Sequence, residues 1–300
     1  MPLAPLPDLP RLKECLSVLS DEWEGRRLDS DPLLFPHRYP DPADREVVAF
    51  LAASLAFGRV ASIRASVERV LSALGPSPAA FLAGWDGSAI APLATFRHRW
   101  VGPSDLRRLL RALSVALRRD GSLRALFSRL DAGGEDYVPA LSAFYETLRA
   151  DAGGPRASRG LGFLLPSPDK GGACKRAHLF LRWMVRTHGF DLGLWRSDGF
   201  TPARLLLPMD THVHRICLYL GLTSRRAADL ASSREATALL RRLFPADPAG
   251  CDWALSRMGI LAECVADPSR SRCSRCAVAP VCRRSRARGA PTRVRLTPAA

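Results

Sequence analysis

Apolar residues recur every three or four positions along this chain, and alternation with a period of two is almost absent. The stretches 44–57 (DREVVAFLAASLAF), 104–119 (SDLRRLLRALSVALRR), 136–149 and 172–187 each gather their apolar side chains on one helical face. Ser77-Pro78, Thr201-Pro202 and Asp247-Pro248 pair a capping side chain with a proline, whose missing N–H costs a first turn nothing, so each predicts a helix start. Glycines at 133–134, 153–154 and 171–172 mark loops. The expected fold class is all-α, with no internal repeat.

Length and composition narrow this picture. Three hundred residues, 47% of them apolar, suffice for one large domain or two closely packed ones. No run of eighteen apolar residues is present, so no membrane span is expected. The start, MPLAPLPDLPRLKECL, lacks the basic and then apolar order of a signal peptide, and the expectation is a cytoplasmic protein with reduced thiols. The net charge of +15 favours a polyanionic partner. Of 44 basic residues only Lys13, Lys170 and Lys175 are lysine, leaving 41 arginines. GC-rich coding accounts for much of that bias, and it draws attention to the lysines, because arginine cannot supply a nucleophilic amine. Six arginines between Arg283 and Arg295 make either a basic arm or solvated charge.

Cys264, Cys273, Cys276 and Cys282 read C-x8-C-x2-C-x5-C within nineteen residues. Structural zinc usually takes two short chelating pairs, and here only Cys273 and Cys276 form one. Unequal outer loops suit a larger body such as a [4Fe-4S] cluster, one thiolate to each iron, and zinc is the alternative. Cys15, Cys174, Cys217 and Cys251 are scattered and read as ordinary buried residues.

Two further segments carry candidate chemistry. In Pro208-Met209-Asp210-Thr211-His212-Val213-His214-Arg215, the acid stands just before the helical run ICLYLGL, where it is either a helix cap or a functional carboxylate. In Leu165 to Arg176 (LPSPDKGGACKR), small residues precede a new helix whose amides can hold a phosphate. Lys175 stands at that helix start, either as a nucleophilic amine or as an exposed, phosphate-contacting lysine.

Taken in order, the lysine-bearing small-residue loop, the D-T-H tripeptide and the four-cysteine loop resemble the endonuclease III and MutY superfamily of DNA glycosylases. Those enzymes carry LPGxGxK in a helix-hairpin-helix, a (V/P)DTHxxR stretch and C-x6-C-x2-C-x5-C. KRAHLFLRWMVR, DLGLW and PMDTHVHRICLYLGLT are similar to an uncharacterised bacterial family of the same broad type, over roughly residues 30–285. The resemblance implies a two-lobed helix-hairpin-helix fold with a C-terminal iron–sulfur cluster loop. Residues 1–42 would pack on the cluster lobe, 43–205 would form a helical bundle with the hairpin, and 206–300 would carry the cluster.

It further implies base excision from damaged or mispaired duplex DNA on a flipped nucleotide, with or without lyase activity. Asp210 would be the catalytic carboxylate and Lys175 the amine that attacks C1′. Gly171, Gly172, Ala173, Arg176 and Arg215 would contact DNA, and Cys264, Cys273, Cys276 and Cys282 would ligate the [4Fe-4S] cluster. This sequence departs from the pattern at Ala173, where a glycine is usual, and in the longer loops before Gly171 and Cys273. Two rival readings remain. One is a metallohydrolase on Asp210-x-His212-x-His214, and the other is a non-catalytic DNA- or RNA-binding protein whose cluster is structural or redox-sensing.

Overall fold

The computed structural model describes residues 7–24, 26, 28–153, 158–196 and 199–286. The arginines of the expected basic arm from position 287 onward lie outside these residues. The described residues are helical, joined by short 3-10 turns, and contain no strand, only three isolated backbone bridges. The helices are α1 (Leu9–Trp23), α2 (Pro42–Ser54), α3 (Val60–Leu74), α4 (Pro78–Gly84), α5 (Pro103–Asp120), α6 (Leu123–Leu130) and α7 (Val138–Asp151). After them come α8 (Arg159–Leu164), α9 (Lys175–Val185), α10 (Thr211–Leu220), α11 (Leu230–Leu243), α12 (Asp252–Ile260) and α13 (Arg283–Arg286). None is long and apolar enough to cross a membrane.

The chain divides into two compact units. One comprises Met1–Arg26, Gly171–Lys175 and Leu205–Ala300, and the other Arg27–Lys170 and Arg176–Arg204. In the second, α2 is buried along nearly its whole length. Burying one such aliphatic side chain is worth about 1.5–3 kcal/mol. Asp44 and Glu46 are buried on the same helix, and their roles explain why. Asp44 Oδ1 accepts the Ala79 N–H at 2.8 Å and so caps α4, while Ser77, the expected cap, makes no such bond. Glu46 accepts the amides of Leu123 at 2.8 Å and Arg124 at 2.9 Å at the start of α6, and the Trp195 indole N–H at 2.7 Å. Rings of Phe50, Phe127, Phe144, Phe180, Trp195 and Phe200 pack edge-on or tilted against one another, with Trp195 joining them to this carboxylate. Trp183 and Trp195 are completely buried and belong to this core.

The unit holding the C-terminal segment is built on α10, α11 and α12 with α1 laid against them. Its core joins Leu12, Leu16 and Leu19 to Val213, Ile216, Leu220, Leu240 and Leu255. Cys15, Cys217 and Cys251 lie in the same core as expected, whereas Cys174, expected to be buried too, is only partly so. Two glycines permit the packing. Gly221 ends α10 in the left-handed region (φ 73°), and at Gly259 a Cβ would overlap His212, reaching its Cγ within 2.9 Å.

The boundaries differ from the periodicity where local chemistry intervenes. The segment 172–187 becomes helical only at Lys175, because Gly171 and Cys174 both have positive φ (79° and 41°). Asp247-Pro248 does not start a helix. The Asp247 carbonyl instead accepts the Gly250 N–H at 3.1 Å, closing a turn, and α12 begins at Asp252. Thr201-Pro202 yields only a short 3-10 turn, Pro202–Arg204, with Thr201 Oγ1 accepting the Ala203 N–H at 3.3 Å.

Candidate active site and cysteine loop

Residues 207–210 reach the start of α10 as an extended segment pinned to α11. Leu207 donates its N–H to Thr237 Oγ1 at 2.9 Å, and Ser233 Oγ donates to the Leu207 carbonyl at 2.7 Å. Residues 171–175 dock against this segment. Leu230 N–H donates to the Gly171 carbonyl at 2.9 Å, Gly172 bridges to Asp229, and Cys174 bridges in parallel to Met209. The left-handed Cys174 backbone directs the chain into α9 and places Lys175 opposite Asp210. Two residues 35 positions apart thus meet through backbone pairing of their neighbours.

Their contact is an ion pair, with Lys175 Nζ donating to Asp210 Oδ2 at 2.6 Å. Both side chains keep about a fifth of their surface open, 24% and 21%. The other carboxylate oxygen, Oδ1, accepts the His212 and Val213 amides at 2.8 Å each, the N-cap of α10. Burial would raise the Asp210 carboxyl. The Lys175 charge and hydrogen bond, the Val213 amide and His212 outweigh it, and the group lies below its ordinary range. Asp210 is therefore both the cap and a charged partner of the amine.

The proposed DNA contacts are distributed differently. Gly171 and Gly172 are exposed and Ala173 half-buried. Arg215 Nη2 donates to the Cys264 carbonyl at 2.7 Å and approaches His212 Nδ1 at 3.4 Å, tying the helix that Asp210 caps to the cysteine loop. Arg176 donates to the carbonyls of Ser54 and Phe163, all three within the unit that holds α2 and α8. His214 is buried and donates Nε2–H to the Arg225 carbonyl at 2.9 Å, so that nitrogen is occupied.

Cys264, Cys273, Cys276 and Cys282 line one pocket together with Ile216, Tyr219 and Arg284. Burial pushes the Cys276 thiol up to about 12, with the other three thiols adding to the rise and the Val278 amide opposing it. Burial also raises Cys264, against Arg284 and Arg215. Arg284 stacks on Tyr219 with its guanidinium carbon 4.6 Å from the ring centre, and donates to the Val265 carbonyl at 2.6 Å. Among the described residues no three His, Cys, Asp or Glu side chains stand close enough to hold a metal ion.

Helices that bring an amine, a carboxylate and four thiols into one compact unit define an all-α protein with a candidate reactive pair and a candidate metal loop. The family model for Protein of unknown function (DUF2400) matches residues 31–261, well over half of the chain, and the protein belongs to that family. No curated protein matches it.

This finding corrects the assignment to the endonuclease III and MutY superfamily, since the family that matches is a different one. Two of the short motifs behind that assignment have an ordinary structural part. Asp210 caps a helix and Gly171 turns the chain, so their order along the sequence is weaker evidence of kinship than a match along its length. The matched span ends before Cys264, and the four-cysteine loop lies beyond it.

Proposed function

We propose that the protein acts on DNA and breaks the bond between a base and C1′ of a nucleotide held out of the duplex, with Asp210 and Lys175 as the reacting pair. The observation that carries this reading is the 2.6 Å contact between Lys175 Nζ and Asp210 Oδ2, partly open to solvent, on a chain of net charge +15. Base removal builds positive charge on the sugar, which a carboxylate held ionised by its surroundings stabilises. The base departs with the electrons of the C1′–N bond. For the amine to replace it, Lys175 must surrender a proton as its bond to C1′ forms, and Asp210, in contact with it, accepts that proton once the sugar cation is consumed and releases it to the departed base. The new C1′–N bond to lysine then opens the sugar to a Schiff base, with strand cleavage by elimination. Where water attacks instead, Asp210 takes its proton. Such chemistry needs the nucleotide flipped from the stack, and arginines supply phosphate contacts that set affinity.

Cys264, Cys273, Cys276 and Cys282 would hold a [4Fe-4S] cluster, with zinc as the alternative. With every iron bound by a thiolate, that group orders the basic loop and leaves the reaction to Asp210 and Lys175. Cytoplasm, where thiols stay reduced, is the compartment that suits such a site.

A second reading, a non-catalytic DNA- or RNA-binding protein, draws on the same carboxylate. Both Asp210 oxygens are already engaged, as in a purely structural capped ion pair. Borohydride reduction with duplex DNA containing an abasic site separates the two. Base excision predicts a covalent adduct with the wild type, its loss in Lys175→Ala and a large slowing in Asp210→Asn. Equal trapping by Lys175→Ala overturns the lysine role, and DNA binding without adduct or nicking selects the second reading.

A further inference from the structure

The unit that does not contain Lys175 carries a second feature built for nucleic acid. Residues 98–101 form a tight turn, with His98 N–H donating to the Val101 carbonyl at 3.0 Å and Val101 N–H returning to the His98 carbonyl at 2.9 Å. Its tip presents Arg99 and Trp100. Arg99 is held in the left-handed region at φ 55°, a conformation that costs a non-glycine residue energy unless its surroundings enforce it. Here the enforcement is visible. His98 is buried, its Nε2 lies 2.9 Å from the Phe57 carbonyl, and its Nδ1 lies 2.9 Å from Ser66 Oγ. A carbonyl can only accept, so Nε2 carries the proton and Nδ1 accepts from the hydroxyl. Burial lowers the His98 titration, as do Arg176 and Arg99, and the neutral ring suits this bonding.

Around this turn three rings gather. Phe57 lies 5.5 Å from Trp100 and 4.7 Å from Phe163, and Trp100 lies 4.9 Å from Phe163 between ring centres. All three are half-buried, unlike the core aromatics. Three guanidiniums lie over them: Arg99 at 4.6 Å and Arg159 at 5.0 Å from the Trp100 ring, and Arg176 at 4.0 Å from that of Phe163. Gly58 makes room for Arg99. Its φ of 99° requires glycine, and a Cβ there would press on Arg99 Cδ at 3.3 Å. Arg99 and Arg159 are exposed and have no ion pair among the described residues, and exposed Arg59 lies two residues after Phe57 in the chain.

We infer that this platform binds single-stranded nucleic acid, stacking an unpaired base on Trp100 and Phe163 while Arg59, Arg99 and Arg159 take the flanking phosphates. Partly open rings offer a stacking surface that any base can use. Guanidiniums already lying on the indole can swing from the ring to a phosphate, so a base exchanges one stacking partner for another. Like charges that form no ion pair among the described residues match a ligand that brings its own negative charge. A packing role for the rings alone leaves unexplained the strained Arg99 and the two unpaired arginines over Trp100. The inference does not depend on whether Lys175 and Asp210 react.

The test measures binding of fluorescein-labelled twelve-nucleotide dT and rU oligomers, and of a duplex of equal length, by anisotropy at two salt concentrations. Wild type should bind the single strands. Arg99→Gln with Arg159→Gln should weaken that binding roughly tenfold and flatten its salt dependence. Trp100→Ala should cost on the order of ten-fold, and the milder Trp100→Phe should retain most of the binding while removing part of the tryptophan quenching seen on addition of oligomer. Melting curves confirm that each variant is folded, and the exposed arginine pair keeps the test open if Trp100→Ala is not. Loss confined to dT or to rU assigns the platform to DNA or to RNA. Wild-type affinity in both the arginine double variant and Trp100→Phe, with unchanged quenching, overturns the inference, as does an equal loss of duplex binding. Borohydride trapping by these variants reports separately on Lys175.

Discussion

Asp210 divides its two oxygens between a helix and a lysine, and the division can be tested. Asparagine caps helices nearly as well as aspartate, whereas alanine in its place costs about 1 kcal/mol. Asp210→Asn should therefore keep most of the stability of α10 while losing the charge that meets Lys175, and Asp210→Ala should lose both. The partly exposed ion pair adds little beyond the cap because solvent screens it. The sign with pH follows from the depressed carboxyl. Its stabilisation is fully present above the unfolded-chain value of about 3.9 and is lost as pH falls through the lower folded value. The stability gap between wild type and Asp210→Asn, measured by denaturant melts, should be constant near neutrality and close in acid. A gap that widens below pH 3.8 would contradict the pairing. At this scale the sequence was legible in part. Asp210 beside a helical run reads as a cap, and it is one. That Lys175 shares its carboxylate could not be read from periodicity, because the contact depends on the left-handed Cys174 and on bridges to Met209 and Asp229.

Helices are where pattern and structure agree most closely, since a periodic apolar face needs only neighbouring residues to specify it. Segment 104–119 corresponds to α5, Pro103–Asp120, whose buried Leu106, Leu109, Leu110, Leu113 and Leu117 keep the helical spacing. The differences arise where a partner distant in sequence decides. Asp44 caps α4 in place of the adjacent Ser77, and Asp247 closes a turn instead of opening a helix. Arginines were hardest to place, because one side chain can serve a phosphate or a carbonyl equally well. Arg215 braces the Cys264 carbonyl, a use its position after D-T-H-V-H does not announce. The element-scale prediction concerns Gly259 on α12, which lets His212 approach. Gly259→Ala should force α10 and α12 apart at a cost of about 1–3 kcal/mol, read as a lower melting temperature. Gly75→Ala is the contrast: its added Cβ meets nothing within 4 Å, and its effect should come from the positive φ of 79° alone.

Across the whole molecule, charge and cysteines pull in one direction. The net charge of +15 opposes compaction unless a polyanion offsets it. The exposed arginines Arg270, Arg272 and Arg275 all fall within the four-cysteine loop, so whatever orders that loop also fixes where those charges are displayed. Thiols that share a pocket lined by α10 side chains and joined to His212 through Arg215 couple the loop to the helix Asp210 caps. Binding of a metal group to the folded loop and not to the unfolded chain must raise stability, by about 1.4 kcal/mol for each tenfold excess of ligand over its dissociation constant. Anaerobic purification should accordingly give a brown protein with about four irons and four sulfides per chain. Removal of the iron should lower the melting temperature and weaken DNA binding together, and Cys276→Ser should reproduce both effects without added chelator. Stoichiometric zinc in a colourless protein would replace the iron–sulfur assignment by the zinc alternative. A metal-free protein that melts and binds DNA identically with and without iron and sulfide would remove the metal altogether. The coupling through Arg215 makes a further distinction: Arg215→Gln should leave the iron content intact while loosening the link, so reduced trapping at full iron loading locates the effect in that link and not in the cluster.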